Sequence, residues 1–151
     1  MTKNNNNFDE RQQLERGKAF QWSFITAVLL LAIYYLFEDG LEICKFSTSF
    51  IFMTTFWIAF AVFSTIAVLC DAFNGINSKN SPIFGIIYGV VGLFILIVTV
   101  IEMLRNQPVM TNNTILSDDI AYIITGLSML EIGAVFLIKY IKNKRNISEE
   151  E

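Results

Sequence analysis

Residues 83–104 of this 151-residue chain read IFGIIYGVVGLFILIVTVIEML, a long apolar run with one charged side chain, Glu102. A helix needs about 20 mostly apolar residues to cross a hydrocarbon core about 30 Å thick. Three other runs meet this requirement, at residues 19–37, 50–70 and 120–138. The sequence therefore predicts an all-α, polytopic membrane protein with four transmembrane helices.

The composition supports a single membrane domain. Apolar residues make up 54% of the chain and aromatic residues 14%, more than an ordinary soluble domain carries. We expect a four-helix domain over residues 9–145, flanked by disordered tails at residues 1–8 and 146–151. Residues 9–18 are expected to extend the first helix into the cytoplasm. The predicted spans are residues 19–38, 48–73, 82–104 and 118–140.

Local signals predict where the helices end and begin. Gly40 and Gly75 stand where a left-handed C-terminal cap would end the first two spans. Pro82 stands at the first position of the third span, where its missing N–H costs nothing. These signals fall between the apolar runs and so support the same four spans.

The distribution of Lys and Arg predicts the orientation, because cytoplasmic segments retain positive charge. Only Lys45 and Arg105 fall on the opposite side from the N-terminus. We therefore expect both termini in the cytoplasm and the chain in the plasma membrane. The basic residues on the predicted cytoplasmic side are Lys3, Arg11, Arg16, Lys18, Lys79, Lys139, Lys142, Lys144 and Arg145.

The chain lacks the residues that common catalytic and metal sites use. It has no histidine, and Cys44 and Cys70 are separated by about 39 Å of helix at 1.5 Å per residue. A disulfide between these two is therefore excluded within one chain. No zinc set and no nucleophile with a histidine base is present. We expect no enzymatic activity, no catalytic residue, no metal, no cofactor and no nucleic-acid partner.

A charged segment at residues 9–18, which we call the collar, precedes the first span. We interpret it as a helix continuous with that span, with ion pairs from Glu15 to Arg11 and Lys18 and with Asn7 as a possible cap. Its basic residues suit topology and anchoring at anionic headgroups. Its acids favour a second interpretation, a docking surface for a cytoplasmic protein or another subunit. The candidate docking residues are Asp9, Glu10, Arg11, Arg16 and Lys18.

The collar also carries a resemblance to a known group. The stretch DERQQLERGKAF, residues 9–20, resembles the opening of a loose group of small multi-pass membrane proteins of Gram-positive bacteria. The resemblance implies a bacterial host. It implies no chemistry, because that group has no assigned activity. The matching residues are Asp9, Glu10, Arg11, Lys18 and Ala19.

The third span carries a stripe of glycines. Gly85, Gly89 and Gly92 lie on one face at helical spacing, and small residues let helix backbones approach closely in lipid. We interpret this stripe as a helix-packing seam. A pore-lining role is the alternative.

Glu131 is the most informative single residue, because it lies near the middle of the fourth apolar run. A central acid such as Asp costs about 2.5 to 3.5 kcal/mol on insertion. Thr125, Ser128 and Glu131 share one side of the helix, so we expect the acid to face inward along a polar stripe. This pattern favours a proton-coupled or cation-binding site. The alternative is a hydrogen bond to a threonine or a carbonyl of a neighbouring helix.

These features favour a non-enzymatic membrane component with a regulatory, immunity-like or complex-forming role. Its expected partners are the lipid bilayer and either a second copy or another membrane or cytoplasmic protein. The alternative is a small oligomeric proton-coupled transporter that uses Glu131.

Overall fold

The computed structural model of the protein describes residues 9–41, 45–73, 82–106, 110–111, 115–116 and 118–149. Within these ranges four helices are long and apolar enough to cross a membrane, which confirms the predicted all-α, four-span class. A short antiparallel pair, β1 (Met110–Thr111) and β2 (Ile115–Leu116), lies between the last two helices. The helices are α1 (Glu10–Tyr35), α2 (Thr48–Leu69), α3 (Ile83–Asn106) and α4 (Asp118–Glu149).

The helices form a row in the order α1, α2, α4, α3, because each packs mainly on its neighbour in that order. Ser47, just before α2, contacts Asp118 at the start of α4. Asp71, just after α2, contacts Lys139 in the second half of α4. The two inner helices, α2 and α4, therefore run parallel. Along the helix axes, we call the end of the bundle that carries Asp71 and Lys139 the collar end. The opposite end, which carries Ser47 and Asp118, is the loop end.

The core of the row lies between α2 and α4. Ala61 and Val68 of α2 pack with Ile132 and Phe136 of α4, and Ile132 has no exposed surface. In α1, by contrast, Ala19 is the one buried residue. The outer faces of α1 and α3 thus present large apolar side chains, as expected for surfaces that face hydrocarbon.

The collar forms the first turns of α1, and its start is set by a capping box. The Asp9 carboxylate accepts from the N–H of Gln12 and, at 2.7 Å, from the N–H of Glu10, while the Gln12 side chain accepts from the N–H of Asp9 at 3.3 Å. This reciprocal pairing satisfies N–H groups that have no partner inside the helix. The cap is therefore Asp9 and not Asn7, which lies outside the described residues.

The end of the first span differs from the prediction. Leu36–Gly40 forms a π-helical turn, and the N–H of Leu41 donates to the Leu36 carbonyl at 2.9 Å. Among the described residues no glycine has positive φ, so Gly40 is not a left-handed cap. The wider turn keeps the backbone paired without such a residue. Gly75, the other predicted cap, lies outside the described residues.

The fourth helix extends beyond the span that the sequence predicts. It continues to Glu149, whereas a disordered tail was expected from residue 146. Neither glycine nor proline interrupts residues 141–149, and the Lys, Arg and Glu residues in this segment are good helix formers. Helix propensity therefore outweighs the polar composition that suggested a tail.

Candidate functional site

Glu131 lies on the surface of the row, beside the contact between α2 and α4. Its side chain is exposed, and its Oε1 accepts a hydrogen bond from the Thr65 hydroxyl of α2 at 3.2 Å. This contact matches the interpretation in which the acid bonds a threonine of a neighbouring helix. It joins two parallel helices near the middle of the fourth apolar run.

Thr125 and Ser128 do not share the environment of Glu131. Both are buried, with 5% and 7% of their surfaces exposed, whereas Glu131 is exposed. The inward face of α4 follows Thr125, Ser128 and Ile132, and Glu131 lies about 100° from Ile132. The expected single inward stripe is therefore wrong for the acid, because α4 packs between two helices and its buried face is centred away from Glu131.

Two buried hydroxyls lie in the same inner pair of helices. Ser64 of α2 is 1% exposed and falls between Ala61 and Val68 of the core. The oxygens of Ser64 and Thr125 have no hydrogen-bond partner within the described part of the chain. Hydroxyls inside helices usually bond a carbonyl one turn earlier. These two oxygens therefore lack the hydrogen bond that would offset the cost of burying them.

The glycine stripe of α3 packs directly on two glycines of α4. A Cβ atom on Gly92 would lie 2.8 Å from the Gly126 carbonyl, and one on Gly133 would lie 2.8 Å from the Gly89 nitrogen. A Cβ on Gly85 would lie 3.1 Å from the Gly133 carbonyl. These distances leave no room for a side chain. The predicted seam therefore lies at the contact between α3 and α4.

The partner of that seam was not identified from the sequence. Gly126 and Gly133 are seven residues apart, a spacing that keeps two positions on one helix face. This heptad spacing was the available signal. A single sequence does not reveal the order of the helices in the row. That order is what brings α4 against α3.

At the collar end, α1 and α4 both contact the end of α2. The Gln12 side chain donates to the Asp71 carbonyl at 2.9 Å, and the Lys139 ammonium lies 2.8 Å from the Asp71 carboxylate. Lys139 also donates to the Leu69 carbonyl at 3.2 Å. Asp71 has a φ of 56°, the left-handed conformation that commonly ends helices. Asp71 thus connects three helices, a role that the sequence did not reveal.

The predicted collar residues fall into two groups. Asp9 and Arg11 line a hollow of about 380 Å³ with Gln12 and Asp71. Lys18 pairs with Glu15 at 2.7 Å, as the helical spacing predicted. That hydrogen bond lowers the pKa of the Glu15 carboxyl and raises the pKa of Lys18.

The remaining collar side chains differ in exposure. Glu10 is exposed and Arg16 is half-buried. Arg11 acts on Glu15 only through its charge, without the ion pair that the spacing predicted. Among the described residues no group of three acidic or cysteine side chains could hold a metal ion.

Comparison of the chain with family models, with curated proteins and with solved structures finds no match in any of the three. The features of the molecule that bear on its function are therefore the geometry of Glu131, the collar end and the helix contacts.

Proposed function

We propose that this chain is a non-enzymatic, complex-forming subunit held in the cell (plasma) membrane by its four helices. The observation that carries this proposal is the position of Glu131. The acid lies near the middle of an apolar run, yet its side chain is exposed on the row and its partner among the described residues is the hydroxyl of Thr65.

A carboxyl that faces hydrocarbon inside a membrane is energetically costly. A central acid such as Asp costs about 2.5 to 3.5 kcal/mol in an inserted helix. One hydrogen bond between membrane helices offsets about 0.6 kcal/mol on average. Acids inside membranes are accordingly found facing other helices or water, or paired with other groups. A further span that covers Glu131 and pairs its carboxyl with basic or hydrogen-bonding side chains would reduce this cost.

The covering span belongs either to a second copy of the chain or to another membrane protein. The exposed acids Asp9 and Glu10, together with Arg11, support a cytoplasmic partner at the collar. A regulatory or immunity-like subunit would use both surfaces, one within the membrane and one outside it. The absence of histidine from the sequence supports a non-enzymatic role.

The test compares the mass of the complex formed by three versions of the protein. Each version is extracted from its native membrane with a polymer that retains the surrounding lipid, and the mass of the protein complex in the resulting particle is measured. We expect Glu131→Leu to release the chain from its complex. Glu102→Leu should leave the complex intact, because Glu102 is also exposed on a span but lies near its end. A wild-type chain that runs at single-chain mass would refute the proposal.

The orientation is part of the same proposal. The count of basic residues supports both termini in the cytoplasm. Reporter fusions after Asn77 and after Asn113 should then read cytoplasmic and external, respectively. The opposite readings would place the collar outside the cell and exclude a cytoplasmic partner for it.

A second candidate function is proton-coupled transport by a small oligomer. The hydrogen bond between Glu131 and the Thr65 hydroxyl favours it. Ser64 and Thr125 add buried hydroxyls, without a partner in the described part of the chain, elsewhere on the same two helices. Oxygen ligands of this kind suit protons and hard cations. In vesicles that enclose a pH-sensitive dye, Glu131→Gln should abolish substrate-driven proton flux while Glu102→Gln preserves it. Flux that persists in Glu131→Gln would exclude this candidate.

A further inference from the structure

Glu131 belongs to a continuous stripe along the exposed side of α4. Four exposed side chains follow one another at helical spacing: Glu131, Ala134, Ile138 and Lys142. At 100° per residue they lie within about 80° of arc. We call this set the α4 stripe. It places an acid within the predicted hydrocarbon layer and a base beyond its collar end.

A second stripe follows the side of α1 that faces away from α2. It consists of Glu10, Leu14, Gly17 and Gln21, which are all exposed and lie within about 60° of arc. Gln21 brings an amide into the predicted first span on a side that no other helix of the chain covers. A Cβ atom on Gly17 would meet nothing within 4 Å. Glycine inside a helix lowers stability relative to alanine, and no neighbour in the described chain requires one here.

Contacts within the chain fix the relative depth of α1 and α4. At the collar end, Gln12 of α1 and Lys139 of α4 both bond Asp71, at 2.9 and 2.8 Å. The two helices run antiparallel, so equal steps from this level towards the loop end keep their residues level. Gln21 lies nine residues from Gln12, and Glu131 lies eight residues from Lys139. Gln21 and Glu131 are therefore at nearly the same depth.

A second set of contacts gives the same result. The ring of Phe20 packs on the ring of Phe63, with centroids 4.5 Å apart, and Thr65 bonds Glu131. Phe63 and Thr65 are two residues apart, about 3 Å of helix, so Phe20 and Glu131 are nearly level. Every copy of the chain inserts with the same topology, because all copies carry the same distribution of basic residues. A neighbouring copy that presents its α1 to Glu131 therefore presents the residues around Gln21.

At this shared depth the two stripes are complementary. On α1 the side chains seven and eleven residues from Gln21 are leucine and glutamate, and on α4 those seven and eleven residues from Glu131 are isoleucine and lysine. The same spacing on both helices aligns every pair once the first is aligned. The opposed pairs are Gln21 with Glu131, Gly17 with Ala134, Leu14 with Ile138, and Glu10 with Lys142.

We infer that α1 of a second copy of the chain covers Glu131, and that its Gln21 amide donates to the carboxyl oxygen that Thr65 leaves open. This inference rests on the proposed function, since it names the span that covers the acid. Gly17 and Ala134 let the two backbones approach, as small residues do between membrane helices. The pairing of Glu10 with Lys142 fixes the register. The surrounding acyl chains offer neither a donor for the acid nor a charge for Lys142.

The test is disulfide crosslinking between two differently tagged copies in native membranes. Both copies carry Cys44→Ser and Cys70→Ser, and one adds Leu14→Cys while the other adds Ile138→Cys. These two side chains are 68% and 63% exposed, so the chain itself does not need them for packing. A membrane-permeable oxidant should link the two tags several-fold more than in a control pair of Leu14→Cys with Ile83→Cys. Ile83 is exposed on α3 at a depth close to that of Ile138.

Second-site variants test the polar contact itself. Gln21→Leu in the copy that carries Leu14→Cys should lower the crosslinking yield several-fold, because the acid loses its donor. Trp22→Leu is the matched control, since it alters an exposed side chain at the same depth about 100° around α1, and it should leave the yield unchanged. Circular dichroism checks that each purified variant folds. If Leu14→Cys does not fold, Glu10→Cys with Lys142→Cys replaces that pair, one turn closer to the collar end.

The outcomes separate this inference from the proposed function. A wild-type chain at single-chain mass refutes both. A complex that Glu131→Leu dissociates, but in which the stripe pair crosslinks no more than the control pair, overturns the second copy as the cover of Glu131. That result would assign the cover to another membrane protein. Unchanged crosslinking in a folded Gln21→Leu protein overturns the amide contact.

Discussion

The two outer helices are attached to the row in different ways. Between α3 and α4, glycines bring the backbones into contact, since a Cβ on Gly92 would lie 2.8 Å from the Gly126 carbonyl. Between α1 and α2, Ala27 and Ala59 line a groove of about 700 Å³, and the rings of Phe20 and Phe63, which also line it, pack on each other. Small residues therefore accompany a close backbone contact in one pair of helices and an open groove in the other.

The difference predicts how each contact responds to change. A contact made by backbones leaves no tolerance for an added methyl group, because backbone atoms cannot rotate away as a side chain can. A contact made by rings and a few hydrogen bonds is adjustable, since each of its parts contributes separately. The contact between α3 and α4 should therefore be rigid and easily broken, and the contact between α1 and α2 tolerant.

The largest effect is expected at the glycine seam. In Gly133→Ala the new methyl would meet the Gly89 nitrogen at 2.8 Å and the Gly85 carbonyl at 2.9 Å. We expect a loss of about 1 to 3 kcal/mol in the free energy of unfolding in micelles, as for other overpacked sites.

Gly89→Ala is the matched control, because a Cβ there meets nothing within 4 Å. The substitution should gain about 0.5 to 1 kcal/mol from helix propensity. Equal effects of the two alanines would contradict the backbone contact between α3 and α4.

A smaller effect is expected at the loop end of the contact between α1 and α2. Tyr34→Phe removes a hydrogen bond of 2.6 Å to the Thr54 hydroxyl but keeps the ring against Phe46 and Phe50. Thr54 retains its own bond to the Phe50 carbonyl. The free energy of unfolding should fall by about 0.6 kcal/mol, the average for bonds between membrane helices. Tyr35 is 68% exposed, so Tyr35→Phe should change nothing measurable in the same unfolding assay.

The smallest effect concerns the ion pair in the collar. The pKa of Glu15 lies below its ordinary value of 4.5, chiefly through its hydrogen bond to Lys18. A carboxyl with a depressed pKa contributes stability that is present above the unfolded pKa and is lost as the pH falls through the folded value. Thermal unfolding of the wild type should therefore show a slight loss of stability below pH 4.5.

Glu15→Gln should remove that acid dependence and leave stability near neutral pH almost unchanged, because its partner Lys18 is exposed to solvent. Glu10→Gln lies outside the pair and serves as the control. An acid dependence that survives Glu15→Gln would show that another carboxyl produces it.

Much of the fold follows from the sequence, because length and apolar composition predict which segments cross a membrane. The glycine face of α3 was also predictable, since Gly85 and Gly92 recur at helical spacing. Its partner was not, because which helix neighbours which depends on contacts between distant parts of the chain. The capping box at Asp9 was readable from Asp and Gln three residues apart.

The candidate site was less predictable than the fold. Helical spacing placed Thr125, Ser128 and Glu131 on one side of α4, yet only the first two are buried. The direction of the buried face depends on how many neighbours a helix has, and α4 has two. No sequence pattern indicated the role of Asp71. That role arises from contacts with Gln12 and Lys139, which lie far from it in sequence.

The parallel arrangement of α2 and α4 also has an electrical consequence. Aligned peptide dipoles give each helix about half a positive charge at its N-terminus and half a negative charge at its C-terminus. Side by side, these two dipoles reinforce each other in the middle of the row, while α1 and α3 oppose them from outside. The side chains at the ends match this polarity: Asp118 lies at the positive end, and the Lys139 ammonium meets the Leu69 carbonyl at the negative end. The inner pair of helices is therefore polarised along the helix axes, and the charged side chains at its two ends stabilise that polarity.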